Sequence, residues 1–378
     1  MRKKYAAVLD VGSSALHFMV AERGLNGTFI IKSSAEVSYS GYSDQAFFDV
    51  SEFEKAVGTV IRKAGDVMKD KTDVLYVGVP GEFTVTYCKY FNISLQKKKR
   101  ITDEDVNKLY DSAFVARSNQ HKLIARSAVN YVLSGNRKVS APVGEVSDTL
   151  GGFLSFTLCL TSFLKIVGAA LRSNGITKTE YFPASLAEVL YLFPPYERDK
   201  GGILLDVGYL SSTFTYFSGD GILFDKSFSL GGGYVTAKLL NDFNLPFAVS
   251  EKMKRTVNIG YNPFSSAKYE IEDENKLYSA SVSDVNASVK EVLDAIAEQT
   301  ANCIEEGVLN YNGNITIYLT GGGISYIRGA KEYLSGRLGA IVKCISPDLP
   351  LFDKPINSSV FSLMDVALSD KNLLKEKN

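Results

Sequence analysis

The fold of this 378-residue chain is decided by Tyr5-Ala-Ala-Val-Leu-Asp-Val-Gly-Ser-Ser14 and by a later counterpart, Gly202-Ile-Leu-Leu-Asp-Val-Gly208. Each stretch reads as an apolar strand that runs into an Asp-x-Gly turn. Alternating and apolar patterns predict the strands that follow these turns over 16–22, 28–32, 212–217 and 223–229. Two strand–turn–strand units of one kind predict two related lobes that face each other.

The first turn has the residue types that an anion site needs. Gly12 lets the chain turn sharply, so that backbone N–H groups can reach phosphate oxygens, and Ser13 and Ser14 add hydroxyl donors. Asp10 would face Mg²⁺ through water, because Mg²⁺ prefers oxygen ligands and keeps several waters. Taken alone, the stretch is more often a plain hairpin turn that carries an aspartate.

The second turn repeats this chemistry with Asp206 and Gly208. Alone it is as weak a signal as the first. At matching places in two related units, however, two carboxylates and two N–H turns suit a triphosphate with a metal ion. We therefore predict that Asp10 and Asp206 face one ligand from the two lobes.

A third glycine turn, Leu319-Thr-Gly-Gly-Gly323, follows a predicted strand over 315–319 and precedes a predicted helix. Gly321, Gly322 and Gly323 carry no side chains, so a flat base or a phosphate can lie against bare backbone. A helix N-terminus at this point would favour a negative ligand. The alternative interpretation is a flexible loop between a strand and a helix.

The composition disfavours several classes of protein. Lys+Arg and Asp+Glu both total 42 and cancel, which gives no general attraction to nucleic acid or to anionic lipid. The four cysteines lie far apart without a CxxC pair, so a zinc site or a disulfide framework is not expected. Two histidines offer little for a histidine metal site or a Ser-His-Asp triad.

Residues 83–165 read as a separate α+β module. Strands are predicted there over 84–94, 123–133 and 151–164. Thr102-Asp-Glu-Asp105 predicts a helix with an N-terminal cap, and the basic run Lys97–Arg100 is interpreted as a solvated loop. Outside the module, Ser51 and Glu54 have capping-box spacing and predict another helix start.

The order of the three motifs, Asp-x-Gly-Ser-Ser, Asp-x-Gly and Thr-Gly-Gly-Gly, resembles that of the actin-like ATPase superfamily. Within it, the chain looks like the FtsA family of bacterial division proteins. The stretches that carry this likeness are Val79-Pro-Gly81, Ile101-Thr-Asp-Glu-Asp-Val106, Pro142-Val-Gly144, Phe182-Pro-Ala-Ser-Leu-Ala187 and Leu230-Gly-Gly-Gly-Tyr-Val-Thr236. The resemblance implies an α/β, two-lobed actin-like fold of duplicated ribonuclease-H-like sheets, with an FtsA-type α+β insertion, the SHS2 domain.

The resemblance also implies a division of the chain. The first lobe would comprise 1–82, then the insertion 83–165, then the returning helices 166–200. The second lobe would comprise a core over 201–246, an outer subdomain over 247–312 and the adenosine motif over 313–354. A C-terminal helix within 355–378 would return to the first lobe.

The site implied by the resemblance binds ATP with Mg²⁺. Asp10 and Asp206 would be the catalytic and metal-binding residues, and Glu251 with Lys254 matches a Glu-x-x-Lys pair that contacts the nucleotide sugar in this superfamily. The implied nucleotide-binding residues are Gly12, Ser13, Ser14, Gly208, Ser211, Glu251, Lys254, Gly321, Gly322 and Gly323.

Four residues depart from the FtsA pattern. Ala15 stands where a phosphate-contacting lysine is usual, and Lys238 where an acidic residue is frequent. Tyr209 and Leu210 replace the usual Gly-Gly of the second turn. Backbone N–H contacts survive such side chains, so binding is expected. ATP turnover well below the enzyme median of about 10 s⁻¹ is also expected. The chain is at most a slow ATPase, and whether it is an enzyme stays open.

Three functions fit these observations. The first is an FtsA-like scaffold that recruits division partners such as the FtsZ tail and self-associates into filaments. The second is an actin-like adaptor of pilus or secretion assembly, similar to PilM, which uses nucleotide as a structural ligand. The third is a sugar kinase or a similar phosphotransferase. The FtsA-like insertion speaks against it, since it occupies the place of a kinase's own insertions.

No membrane anchor is expected. The least polar stretch, 150–164, is uncharged, but it is interrupted by Ser and Thr and falls short of the ~20 apolar residues of a membrane span. After Leu368, two leucines among five charged residues supply little apolar surface for an amphipathic helix. We therefore expect a cytoplasmic protein that reaches the cytoplasmic face of the membrane only through partners.

Overall fold

The computed structural model describes residues 5–64, 66–69, 72–116, 119–260, 266–308 and 315–369. Its strands are β1 (Tyr5–Val11), β2 (Ala15–Arg23), β3 (Phe29–Ser38), β4 (Tyr42–Ser43), β5 (Ala46–Phe47), β6 (Leu75–Val79), β7 (Thr84–Arg100), β8 (His121–Leu133), β9 (Arg137–Val139), β10 (Val146–Leu160), β11 (Thr179–Pro183), β12 (Gly202–Val207), β13 (Ser212–Ser218), β14 (Gly221–Phe228), β15 (Lys268–Asp273), β16 (Lys276–Ser281), β17 (Ile317–Thr320) and β18 (Val342–Cys344).

The helices follow in chain order. They are α1 (Val50–Ala64), α2 (Asp66–Lys69), α3 (Asp103–Ala113), α4 (Thr161–Ser173), α5 (Ala184–Leu192), α6 (Pro195–Arg198), α7 (Gly232–Phe243), α8 (Phe247–Thr256), α9 (Val282–Gly307), α10 (Ala330–Leu338) and α11 (Ser358–Leu368). The chain end after Ser369, for which no anchor was expected, lies outside the described residues. No helix in the described ranges is long and apolar enough to cross a membrane.

Two five-stranded sheets share one topology. Their strand orders are β3-β2-β1-β6-β11 and β14-β13-β12-β17-β18. In each, a three-stranded antiparallel meander is extended by two parallel strands. This confirms the predicted duplication, and it places Asp10 and Asp206 near the carboxyl ends of the two central strands, β1 and β12.

Apart from Asp10 and Asp206, the central strands are apolar, as expected of strands that are covered on both faces. Ala7, Leu9 and Val11 of β1 pack against α1 and α4, whereas Ala6 and Val8 pack against α5 and α11. In the second sheet, β12 packs against α7, α8 and α9 on one face.

Helix α5 lies between the two sheets. Ala187 belongs to the core of the first sheet, while Val189 and Phe193 pack on Leu204 and Phe217 of the second sheet. Glu188, which lies between Ala187 and Val189, is therefore held where the two sheets meet.

A four-stranded sheet, in the order β7-β10-β8-β9, follows β6 in the chain, and α3 covers one of its faces. The predicted cap of α3 is confirmed: Thr102 Oγ1 accepts the N–H of Asp105 at 3.4 Å, and Asp105 Oδ2 accepts the N–H of Thr102 at 3.0 Å. This sheet also contacts the second five-stranded sheet, because Ser155 Oγ donates to Ile222 O at 2.7 Å.

Three local predictions were wrong. The strand predicted over 151–164 ends at Leu160, because Thr161 begins α4. The apolar residues of α4 are buried in the core of the first sheet, so hydrophobicity alone did not distinguish them from residues of a strand. Helix α1 begins at Val50. The side chain that accepts a backbone N–H at its start is Asp49, whose Oδ1 accepts from the Glu52 N–H at 3.0 Å, and not Ser51 as predicted. Lys97–Arg100 ends strand β7, after a shift in its pairing with β10, and is not a loop.

Candidate functional site: the cleft between the two sheets

A cleft of about 740 Å³ lies between the two five-stranded sheets. All twelve residues singled out from the sequence line it, although they come from four separate parts of the chain. They are Asp10, Gly12, Ser13, Ser14, Asp206, Gly208, Ser211, Glu251, Lys254, Gly321, Gly322 and Gly323. Their individual roles stay predictions.

The two Asp-x-Gly turns have the same geometry. Gly12 N–H donates to Ala15 O at 3.0 Å, and Gly208 N–H donates to Ser211 O at 2.9 Å. A Cβ on Gly12 would lie 2.9 Å from Ala15 O, and one on Gly208 would lie 2.8 Å from Ser211 O. Each turn is therefore too tight for a side chain at its glycine.

The turns also contact each other across the cleft, because Leu210 N–H donates to Ser13 Oγ at 3.0 Å. Within the described part of the chain, the N–H groups of Ser13 and Ser14 make no hydrogen bond. Backbone donors of this kind are what a phosphate oxygen requires.

The triple glycine packs against the second turn. Gly321 has φ +87°, and a Cβ there would lie 2.1 Å from Asp206 Oδ1; one on Gly323 would lie 2.2 Å from Gly208 O. The prediction of a helix start at this loop was wrong, because α10 begins only at Ala330. Helix α7 begins beside the second turn, where Gly232 N–H donates to Gly208 O at 2.9 Å.

Three carboxyl groups repel one another in the cleft. Burial and the charge of Asp10 raise the pKa of Asp206 to about 7. Glu188, on α5, is 1% exposed, and burial followed by the charges of Asp206 and Asp10 raises its pKa well above the usual value. Its Oε1 atom has no hydrogen-bond partner in the described residues.

Glu188 was missed in the sequence analysis. The signal was present, since Glu188 is the single charged residue of α5, Ala-Ser-Leu-Ala-Glu-Val-Leu-Tyr-Leu. A carboxylate inside an apolar helix is costly unless something compensates it. That cost marks Glu188 as a candidate functional residue.

His17, also missed, stands opposite Asp10 in the β1–β2 hairpin and opposite Glu36 in the β2–β3 pair. Its Nδ1 is 3.9 Å from Asp10 Oδ2, and its Nε2 is 3.1 Å from Glu36 Oε2. Burial lowers the pKa of His17, but the two carboxylates outweigh burial and raise it to about 9. A cation thus lies on β2 beside the first turn, although Ala15 supplies none.

The residues present fit a divalent cation in one respect. Burial and then the charge of Asp10 raise the pKa of Asp206, and a positive charge between the two carboxylates would offset both effects. Among the described residues, no group of three or more His, Cys, Asp or Glu side chains is placed to hold a metal ion by itself.

The Glu251–Lys254 pair is engaged with neighbouring side chains. Glu251 Oε1 accepts from Lys254 Nζ at 2.8 Å and from the Tyr209 hydroxyl at 3.1 Å, and Thr236 Oγ1 also donates to it. Burial lowers the pKa of Lys254, while Glu251 opposes this effect. Lys254 Nζ further donates to Gly232 O at 3.2 Å, which ties the pair to the start of α7.

The far end of the cleft is apolar at its rim. Phe247, Tyr326 and Ile356 line the cleft and are exposed, together with Arg255 and Lys354. A Cβ on Gly322 would lie 2.9 Å from Ile356 Cγ1, so the bare backbone faces this rim. Apolar side chains beside bare backbone suit a flat ring, and these rim residues lay beyond the motifs found in the sequence.

A half-buried aspartate beside the cleft predicts pH-dependent stability. Asp225 accepts from Thr84, Ser185 and Thr215, yet burial raises its pKa to about 6. The folded state therefore binds the proton more tightly than the unfolded state. The free energy of unfolding should fall as the pH rises from about 4 to above 6, by about 3 kcal/mol at most.

Urea denaturation between pH 4 and pH 8 measures this effect. Asp225→Asn keeps an acceptor for the hydroxyl groups and removes the titration, so its pH slope should be shallower than that of the wild type. Equal slopes for the two proteins would contradict the assignment.

No family model matches the chain. Over 267 residues, which are 70% of this chain and 63% of the relative, it is 20% identical to a cell division protein FtsA from Buchnera aphidicola subsp. Baizongia pistaciae. The match thus spans less than two thirds of that relative's length.

Solved structures match almost the whole chain. A chain of a PilM–PilN type IV pilus biogenesis complex superposes with a TM-score of 0.63 at 15% identity, covering 98% of this chain and 100% of that one. MreB5 of Spiroplasma citri bound to AMPPNP superposes with a TM-score of 0.55 at 10% identity, covering 97% and 96%. Together with the duplicated mixed sheets, these likenesses show that the chain has the actin-like ATPase fold.

Proposed function

We propose that the chain binds ATP with Mg²⁺ in the cleft and acts as an actin-like scaffold for protein partners. One observation carries the nucleotide proposal above the others: two glycine turns of identical geometry bring Asp10 and Asp206 to opposite sides of one cleft, beside the buried Glu188. The MreB5 structure with AMPPNP supports it, because that protein has the same fold and binds an ATP analogue.

Each part of the ligand has candidate contacts. The N–H groups of Ser13 and Ser14 would bind phosphate oxygens, and His17 would offset their charge. Asp10 and Asp206 would hold Mg²⁺ through water, and the ion would neutralise phosphate charge. Glu251 and Lys254 would contact the sugar. The rim with Tyr326 and Ile356 would pack on the base.

Calorimetric titration of the full chain tests nucleotide binding. We expect a micromolar dissociation constant for ATP with Mg²⁺, about −8 kcal/mol, and weaker binding in EDTA. A cooperative thermal melt establishes that the chain is folded. Absence of heat with ATP, ADP and GTP from a folded chain would refute the proposal.

For the partner, we propose first an FtsA-like scaffold that recruits a division protein such as FtsZ, with a second copy of the chain as a further partner. The FtsA relative and the extra sheet β7-β10-β8-β9 support this proposal. Slow ATP turnover is expected, because the Leu210 N–H of the second turn is already bonded to Ser13 and the bulky Tyr209 stands beside it. A PilM-type adaptor is the second candidate, supported by the whole-chain likeness to the PilM–PilN complex.

Two probes from the same genome separate these candidates: a synthetic peptide of the C-terminal tail of its FtsZ, and any PilN-like protein. Saturable binding of the FtsZ tail supports the first function, and saturable binding of the PilN-like protein supports the second. We assign the partner contact to the inserted region 83–165 and any location at the membrane face to that partner. For the rest of the chain, from 1–82 to 355–378, we propose the lobes and subdomains that the resemblance implies.

A further inference from the structure

Tyr209 lines the cleft and contacts both Glu251 and Lys254. It follows Gly208 in the second turn and lies between that turn and the Glu251–Lys254 pair. Its backbone is held in place, because the Gly233 N–H of α7 donates to Tyr209 O at 2.7 Å. The side chain therefore projects from a fixed turn toward the pair that is proposed to contact the sugar.

Three contacts hold the Tyr209 side chain. The hydroxyl donates to Glu251 Oε1 at 3.1 Å, and Lys254 Nζ lies 5.0 Å from the ring centre. The ring also packs on bare backbone, since a Cβ on Gly233 would lie 2.8 Å from Tyr209 Cε1. Burial and the charge of Glu251 raise the pKa of Tyr209 to about 12, so the phenol keeps its proton and stays a donor.

A tyrosine hydroxyl and a ribose hydroxyl present the same donor to a carboxylate. Glu251 Oε1 already accepts from Lys254, Thr236 and Tyr209, and a carboxylate oxygen has few further acceptor positions. A bond to an ionised acceptor is also stronger than a neutral one, so the Tyr209 contact is not displaced without cost.

We propose that Tyr209 is an affinity-determining residue that occupies the sugar end of the cleft and competes with the ribose of the nucleotide for Glu251. The inference rests on the proposed nucleotide function and adds that binding requires the Tyr209 side chain to move out. The apparent affinity is then reduced by the fraction of molecules in which Tyr209 is out.

Calorimetry on Tyr209→Ala and Tyr209→Phe tests the competition. The alanine variant should bind ATP about tenfold more tightly than the wild type, which corresponds to a site that is about one tenth open. The phenylalanine variant should lie between them, because it loses the hydrogen bond and keeps the ring. The gain should shrink with 2′,3′-dideoxy-ATP, which has no ribose hydroxyl to offer Glu251.

Tyr196→Ala is a matched control. Tyr196 also donates to a glutamate at 3.1 Å, that of Glu197, but it lies on the surface away from the cleft and should leave ATP affinity unchanged. If Tyr209→Ala binds ATP equally or less tightly than the wild type, the competition is refuted while nucleotide binding stands. If no protein binds ATP, the proposed function itself fails.

A fluorescent reporter at position 209 tests the movement of the side chain directly, without truncating the ring and losing its packing contacts. The chain has no tryptophan, so Tyr209→Trp gives a single indole in the cleft. Saturating ATP should shift its emission to longer wavelength as the ring moves into water. An unchanged or shorter wavelength at saturation would show that the ring stays inside and would overturn the proposal.

Discussion

Replacing Asp206 with asparagine is expected to remove the Mg²⁺ dependence of ATP binding. The carboxylate faces the cleft opposite Asp10, and burial together with the charge of Asp10 raises the pKa of Asp206 to about 7, a cost that a bound cation would offset. With Mg²⁺, the affinity should fall about 100-fold, or about 2.7 kcal/mol. In EDTA, the variant should bind ATP as well as the wild type or better, because one repelling charge is gone.

Asp225→Asn is the matched control for Asp206→Asn. Asp225 is a second aspartate with a raised pKa in the same sheet, but it is not among the residues that line the cleft. Its substitution should leave the Mg²⁺ dependence intact. An Asp206→Asn variant that keeps full Mg²⁺-dependent affinity would show that the two turns do not share a metal ion.

Arg198→Met is expected to destabilise the fold more than any surface substitution. Arg198 is 4% exposed, and its Nη1 donates to Phe193 O at 2.5 Å and to Leu190 O at 3.2 Å, while Nε donates to Asp220 Oδ1 at 2.8 Å. The change removes the donor from Leu190 O, in the last turn of α5, and from the buried Phe193 O, just after that helix. The free energy of unfolding in urea should fall by about 3 kcal/mol.

Asp220→Asn isolates the ion-pair part of the Arg198 cluster. The Asp220 side chain is 45% exposed, so its contribution is screened by water, and about 1 kcal/mol is expected. If Arg198→Met costs no more than Asp220→Asn, the carbonyl contacts do not hold the junction between the sheets.

The local features of the cleft were predictable because their signals are local. Gly12 and Gly208 lie in turns of three to four residues, and the strands around them follow the period of a sheet. Their repetition pointed to two facing sheets, and the structure brings both turns to one cleft. Thr102 was recognisable for the same reason, since a capping box spans four residues.

Other features depend on distant contacts. Glu188 was recognisable as the single charge of α5, but its place between the two sheets follows only from the packing of that helix on both sides. The charge of His17 was not predictable, because it depends on Asp10 and Glu36 on neighbouring strands. The helix expected at Gly323 was wrong because the glycines serve close packing on the Gly208 turn instead. At Thr161 the largely apolar sequence continues from strand β10 into helix α4 without a charged residue at the junction. The spacing of apolar residues changes there from that of a strand to that of a helix, which is hard to detect within one uncharged run.

A crystal structure of the chain grown with AMPPNP and Mg²⁺ tests most directly whether the cleft is a nucleotide site. We expect the phosphates at the Gly12 and Gly208 turns, the metal ion between Asp10 and Asp206, and the base against Tyr326 and Ile356. Nucleotide bound elsewhere on the chain, or an empty cleft at a concentration that saturates binding in solution, would contradict the proposed site.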